Sequence, residues 1–418
     1  MTQQLSGEVT RGLPALMRPG QRVDVELGVR NPSPYNSATD LVLDESYPAG
    51  FQVLVDSLTG TELPPHSSGV IVGTFAPRSS GVFRIDLTVR YINRTTGEPG
   101  QPVALSCATH VSAIDDFVVV AVGDKGLLRI SLNGGQQWSS HDLAATENLR
   151  AVAWNQLASR PRFVAVGASN GQAIAYYSTD PATGFTSAAI AAPAAANAVV
   201  WSVDWSEFVV VGDGGLIAKS RDGQAWDVIS SGTEADLFGI VWAGNAYIAV
   251  GAEGTVLTSG DGWEWESSNT EIPARLTGIA WSPGIGFVAS TDQPRTVAFS
   301  KDAVDWMAIT HSGLPASSRS VAVSATAATP VFVVVGTNGG FASSTDPLRE
   351  WTARPVPRVA SITVCDVVPS AVLGGFLAAS DGCWTLRGDA HGSDWHAQRI
   401  AREFRDYRTV NGICDGVA

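Results

Sequence analysis

The stretch VVVGDGGLIAKSRDGQAW, residues 209–226, opens on an apolar run, breaks at a cluster of glycines, and closes on Ser220-Arg-Asp222-Gly and Trp226. A glycine-rich turn after a strand can cradle phosphate, and an acid beside a tryptophan invites a catalytic role. Copies of the stretch elsewhere in the chain decide between these readings. Ser131-Leu-Asn133 leads to Trp138, Ser178-Thr-Asp180 to Phe185, and Ser259-Gly-Asp261 to Trp265. Ser300-Lys-Asp302 leads to Trp306 and Ser344-Thr-Asp346 to Trp351, while a seventh copy, Arg387-Gly-Asp389 to Trp395, lacks the serine. The anchors 133, 180, 222, 261, 302, 346 and 389 lie 47, 42, 39, 41, 44 and 43 residues apart. A period in the low forties is that of a four-stranded propeller blade.

Two other elements repeat in phase. Before each box runs an apolar strand: FVVVAVGDKG (117–126), FVAVGASNG (163–171), FVVVGDGG (208–215), YIAVGAEG (247–254), FVASTDQ (287–293), FVVVGTNGG (332–340) and FLAASDG (376–382). After each box comes another: LRAVAW (149–154), VWSVDW (200–205), LFGIVW (237–242), LTGIAW (276–281), RSVAV (319–323), ITVCDV (362–367) and YRTVNGI (407–413). The region therefore opens on a second strand and ends on a first strand. The last strand is expected to complete the first blade, closing a seven-bladed ring and removing both open edges. The Ala-rich TSAAIAAPAAANA (186–198) and SATAATP (324–330) are expected to be loop insertions.

Residues 1–112 have a different texture, since all 13 tryptophans lie from Trp138 to Trp395. In RVDVELGVRN, Val23, Val25, Leu27 and Val29 alternate with polar residues, as do Phe83, Ile85, Leu87 and Val89 in VFRIDLTVRYI. Period-two alternation between turn clusters such as RPGQ, NPSPYNS and APRSSG predicts an antiparallel β-sandwich. The boundary falls near Ser112–Asp116, giving a sandwich over 1–112 and a propeller over 113–418. The stretch VRNPSPYNSATDLVLDESYPAGFQV resembles the Ig-like repeat domains that serve as spacers in bacterial surface and phage structural proteins. That resemblance implies a spacer or docking module.

The box itself resembles the Asp-box of sialidases and related propellers, Ser-x-Asp-x-Gly-x-x-Trp, most fully at Ser131–Trp138; several copies are one residue shorter. The resemblance implies a hairpin turn at the blade periphery whose aromatic packs between blades. Asp and Asn favour turns by bonding nearby backbone, and Gly supplies positive φ. Asn133, Asp180, Asp222, Asp261, Asp302, Asp346 and Asp389 are therefore expected to be structural. The phosphate reading fails because a strand, not a helix, follows Gly212–Gly215, and no GK[ST] is present. A sialidase-like site would need an arginine in a Phe/Tyr-Arg-Ile-Pro stretch. The one Phe-Arg-Ile, at Phe83–Ile85, lies in the sandwich and continues with Asp86.

The remaining chemistry is sparse. The net charge is −13, with three lysines and no basic run, which argues against a nucleic-acid partner. No stretch is long and apolar enough to insert in a membrane. The opening MTQQLSGEVTRGLPALMRPGQ has no apolar core of a secretory leader, so synthesis and folding in a host cytoplasm are expected. Cys107, Cys365, Cys383 and Cys414 lack CxxC spacing, and His66, His110, His141, His311, His391 and His396 lack ligand spacing, so neither metal nor cofactor is expected. What remains is a binding surface at the channel mouth, with Arg150, Trp201, Phe238, Arg319 and Arg408 as candidates beside Thr277 and Thr363. The leading expectation is a non-enzymatic bacteriophage virion component (tail, fibre or capsid decoration), multimeric in its assembly. Its sandwich would dock on other virion proteins and its propeller would meet a cell-surface glycan or protein receptor. The alternatives are a cytosolic scaffold or assembly factor and, third, a glycan-active hydrolase.

Overall fold

The computed structural model describes residues 5–12, 16–17, 22–58, 62–77, 81–111, 117–155, 161–324, 329–354, 356, 362–370, 374–400 and 408–417. The expected boundary at Ser112–Asp116, the turn RPGQ, most of APRSSG, residues 325–328 and Tyr407 lie wholly or largely outside these. Contacts divide the chain into Met1–Ile114 and Asp115–Ala418.

In the first unit, alternating sequence produces two four-stranded sheets. One orders Ser6–Arg11, Val23–Arg30, Ser68–Phe75 and Phe51–Asp56; the other orders Leu16–Met17, Val103–Val111, Gly81–Asn93 and Ala38–Ser46. Val25, Leu27, Val29 and Ile71 of one sheet share a buried core with Ile85, Leu87, Val89 and Leu105 of the other. Asn31 is buried where the Val23–Arg30 strand ends, and its Nδ2 donates to the carbonyls of Asn36, Leu63 and Pro64 at 2.8, 2.9 and 3.1 Å. At the Pro48-Ala-Gly50-Phe51 corner, Gly50 has φ +97°, and a Cβ there would stand 2.6 Å from the Ala76 carbonyl oxygen. Only glycine fits that corner.

The second unit contains seven four-stranded antiparallel sheets among the described residues. Their first strands are Val410–Val417, Glu147–Trp154, Ala196–Ser202, Leu237–Trp242, Leu276–Ser282, Ser318–Ser324 and Val364–Ser370. We number the sheets one to seven in that order. Each first strand packs beside the next, the seventh meets the first, and the series closes on itself. The C-terminal strand pairs with Phe117–Gly123 from Val410↔Gly123 to Val417↔Phe117. Second strands such as FVVVG (208–212) are buried along their whole length because sheets cover both faces.

Four expected elements are shifted. Only the middle of the Ala-rich 186–198 is a loop, at 190–195: Thr186–Ala189 is the outer strand of sheet two, and Ala196 begins the first strand of sheet three. That strand ends at Ser202, leaving Val203–Trp205 in a turn. The last two first strands begin at Val364 and Val410, two and three residues later than the sequence pattern suggests.

Every first strand carries one bulge, leaving Arg150, Asn197, Phe238, Thr277, Arg319, Cys365 and Asn411 between paired residues. The next position is held by Ala151, Ala198, Gly239, Gly278, Ser320, Asp366 and Gly412, and here neighbouring strands come closest. A Cβ on Gly412 would lie 2.8 Å from the Ala151 Cα, and one on Gly239 would lie 2.9 Å from the Gly278 Cα. Asp366 is the exception to the small residues. Its carboxylate accepts from Ser320 Oγ (3.0 Å), its following amide at Val367 (2.9 Å) and the Ile413 amide of the closing strand (3.4 Å). It thus ties sheets six, seven and one together.

Although Asp366 keeps some accessible surface, the protein packed around it desolvates the carboxyl, outweighs those three bonds, and raises its pKa to about 6. A folded pKa above the unfolded one means that the folded state holds the proton more tightly. The associated stability is complete below about pH 4 and is lost as pH rises through about 6, on the order of 3 kcal/mol. Asp366→Asn should flatten this part of the pH–stability curve. Urea unfolding of both proteins at pH 4.5 and 7.5 checks it, and an unchanged difference between the two pH values would contradict it.

Candidate functional site

The boxes are self-contained turns. In the opening stretch, Gly223 N–H donates to Ser220 Oγ (2.8 Å), and the Gln224 and Ala225 amides donate to Asp222 Oδ1 (2.8 and 3.2 Å). Trp226 Nε1 returns to the Gly223 carbonyl at 3.1 Å. Gly223 has φ +73°, and a Cβ on it would meet Val164 of the preceding sheet at 2.6 Å. The hairpin therefore rests on its neighbour, and Trp226 packs against a core containing Val164 and Val166.

The same role falls to the other anchors. Asn133 Oδ1 accepts from the Gln137 amide, Asp180 from Ala182, Asp261 from Trp263 and Glu264, and Asp302 from Val304 and Asp305. Asp346 accepts from Leu348, and Asp389 from Ser393 and Asp394. Desolvation pushes the Asp222 carboxyl up, but the two amides, Ser220 and Arg162 together hold it below the usual carboxylate range. At Asp261 the Trp263 and Glu264 amides dominate and lower it directly.

The side chains that differ between copies gather at the bulges. Asn411 Nδ2 donates to the Leu149 carbonyl (3.0 Å) and Asp124 Oδ1 (2.8 Å); Asn197 Nδ2 donates to the Leu237 carbonyl (2.8 Å) and Asp213 Oδ1 (2.7 Å). Thr277 Oγ1 reaches the Ser318 carbonyl at 3.3 Å. In all three cases the bulge side chain bonds the carbonyl just before the next sheet's bulge. Arg150 bonds Asn197 and lies 3.5 Å from Asp213. Arg319 is exposed and makes no hydrogen bond or ion pair among the described residues. Cys365, half-buried, has its thiol pushed up to about 12 by burial and by Asp381 and Asp366, against the opposing charge of Arg319.

Of the sequence candidates, Arg150, Phe238 and Arg319 share this ring, and Trp201 and Arg408 do not. Trp201 is 7% exposed and pairs with Phe208, as Trp154 pairs with Phe163, Trp242 with Tyr247 and Trp281 with Phe287. It is core at the far end of its strand, and Asn197 holds the position expected of it. Trp205, expected at that far end, is 47% exposed in a turn. Arg408 precedes the closing strand and bonds Asp142 Oδ2 at 3.0 Å, and Asn411 stands at the bulge. Thr363 precedes its strand, donating its amide to Asp381 Oδ2 at 3.0 Å, and Cys365 takes its place.

Phe238 breaks the polar run, and a cleft opens beside it between sheets four and five. Arg275 lies over its ring at 3.6 Å from the centroid. Elsewhere, Lys219 is buried against Glu207 (2.8 Å), donates to the Asp261 carbonyl (2.6 Å) and sits 4.5 Å from the Trp263 ring. Sequence reading missed these residues because Phe238 and Arg275, like Lys219 with Asp261 and Trp263, meet across neighbouring sheets, and Glu207 reaches Lys219 only through strand pairing. Among the described residues no three His, Cys, Asp or Glu side chains gather as a metal site requires.

No protein-family model matches the chain, and no curated protein matches it in sequence. Solved structures do resemble it. YCF48 from Cyanidioschyzon merolae aligns with a TM-score of 0.50 at 15% identity, over 64% of this chain and 90% of that one. Virginiamycin B lyase from Staphylococcus aureus aligns with a TM-score of 0.50 at 9% identity, over 61% and 85%. The fold is a β-propeller. YCF48 bound to a D1 peptide aligns at 0.49 and 16% identity, over 64% and 86%. At these identities the likeness concerns the propeller fold alone.

The box geometry yields a test. Asp222→Ala removes an acceptor for two turn amides and should lower stability by about 1–2 kcal/mol. Urea unfolding followed by tryptophan fluorescence measures it, and an unshifted midpoint would contradict the structural role.

Proposed function

We propose that the chain is a non-enzymatic structural and adhesion component of a bacteriophage virion, in its tail, fibre or capsid decoration. In this reading the N-terminal unit is an Ig-like spacer that docks on other virion proteins. The second unit is a seven-bladed Asp-box propeller displayed toward a protein or glycan receptor, with several copies carried on one assembly. The observation that carries the reading is the pairing of a two-sheet unit with a propeller unit in one chain. The spacer-like stretch 29–53 has the locked Asn31 loop and the Gly50 corner that a rigid connector needs. In the propeller, each repeated box acid bonds amides of its own turn, so the residues free to vary are those at the bulges.

Mass spectrometry of particles purified from lysed producing cells should find this chain at a fixed ratio to the major structural protein. Its absence from particles, with the chain recovered instead in the cleared cytoplasm bound to a host protein, would replace this reading with that of an assembly factor.

A further inference from the structure

The cleft beside Phe238 measures about 510 Å³, within the roughly 300–1,000 Å³ of small-molecule sites. Asp236, Phe238, Glu253, Pro273, Arg275 and Asp292 supply most of its wall. One carboxylate oxygen of Asp236 accepts from the Gly214 amide (2.8 Å), and one of Asp292 accepts from the Arg275 amide (3.1 Å). Each has a second oxygen with no partner among the described residues, as do both oxygens of Glu253. The Arg275 guanidinium, exposed and with its central carbon over the Phe238 ring, likewise has its N–H donors uncommitted. The ring contact fixes the guanidinium without using any of its hydrogen-bonding capacity.

Both signs of charge therefore line one open cleft, with acceptors and donors free on opposite groups. An anionic ligand meets three carboxylates. A cationic one finds the aromatic face already taken by a guanidinium. A neutral molecule bearing many hydroxyls meets neither obstacle, because each hydroxyl both donates and accepts. Pro273 and Ala252 add apolar edge for its C–H faces. Glu253 also sits at φ +53°, a turn position that Lys125 fills in sheet one and Gly214 and Gly382 fill in sheets three and seven. A glutamate is strained there, and turn formation does not require one.

We propose that this cleft is a binding site for neutral oligosaccharides. The proposal rests on the reading of the propeller as a displayed receptor-binding module and names what that module takes. The test is an array of neutral di- to tetrasaccharides of glucose, galactose, mannose and N-acetylglucosamine, probed with the intact chain, with hits measured by calorimetry. We expect at least one hit, weakened about tenfold or more by Arg275→Gln and by Glu253→Gln. Affinity should be unchanged between 0.05 and 0.5 M salt and by Trp263→Ala, and thermal unfolding verifies that each variant is folded. No bound saccharide, or binding indifferent to both cleft variants, would overturn the proposal. So would tighter binding of a nona-arginine peptide that weakens steeply with salt. Particle composition is read independently, so a chain present in virions yet blind to saccharides refutes the cleft and leaves the virion reading standing.

Discussion

The pairing of Val410–Val417 with Phe117–Gly123 is the constraint on which the propeller depends. Without it the first sheet lacks its first strand, and both ends of the repeat region expose unpaired backbone. Closing the ring joins the two ends of a long chain segment, which costs loop-closure entropy before any contact rewards it. The reward is distributed. The closing strand pairs along Phe117–Gly123, gives Asn411 to the Leu149 carbonyl, and presents its Ile413 amide to Asp366. Ser370 Oγ adds a 2.5 Å bond to Asp415. Neighbours on both sides thus hold the strand that completes the circle.

The bulges connect this fold to its surface. Each frees one side chain from the ladder, and three of the seven use it to bond the carbonyl ahead of the next bulge. Architecture thus has a use for a polar residue at such a place but does not require one. Phe238 gives up that bond, and the mixed-charge cleft lies beside it. The boxes behave in the opposite way: Ser, Asp, Gly and Trp bond among themselves, so their chemistry is consumed locally. The repeated Asp, or Asn133 in the first copy, holds its turn, and what distinguishes one blade from another is free to meet partners.

Much of this was legible in the sequence because it is periodic. The spacing of the boxes, the alternation in 22–31 and 82–92, and the phase of the terminal strand all express local rules that repeat. What escaped lies where the pattern loses phase. In TSAAIAAPAAANAVVW the small apolar residues mark no face, so the strand start at Ala196 was hidden and Trp201 was read four residues out of place. Arg408 and Thr363 were misplaced because their strands lack the closing Trp that sets the register of LRAVAW, LFGIVW and LTGIAW. Asp366 was hidden by the same slip in register, and its partners on two other strands have no sequence signature. The Arg275–Phe238 pair joins residues of different sheets and has no sequence signature.

The most direct test of the account is native-state hydrogen exchange across the closing strand. Ladder amides between Val410 and Asp415 and those of Val118–Val122 should exchange only through global unfolding, with the same free energy as the second strands of the other sheets. Exchange of the 410–415 amides orders of magnitude faster, while the other sheets stay protected, would show a detachable tail and contradict a ring held shut by its last strand.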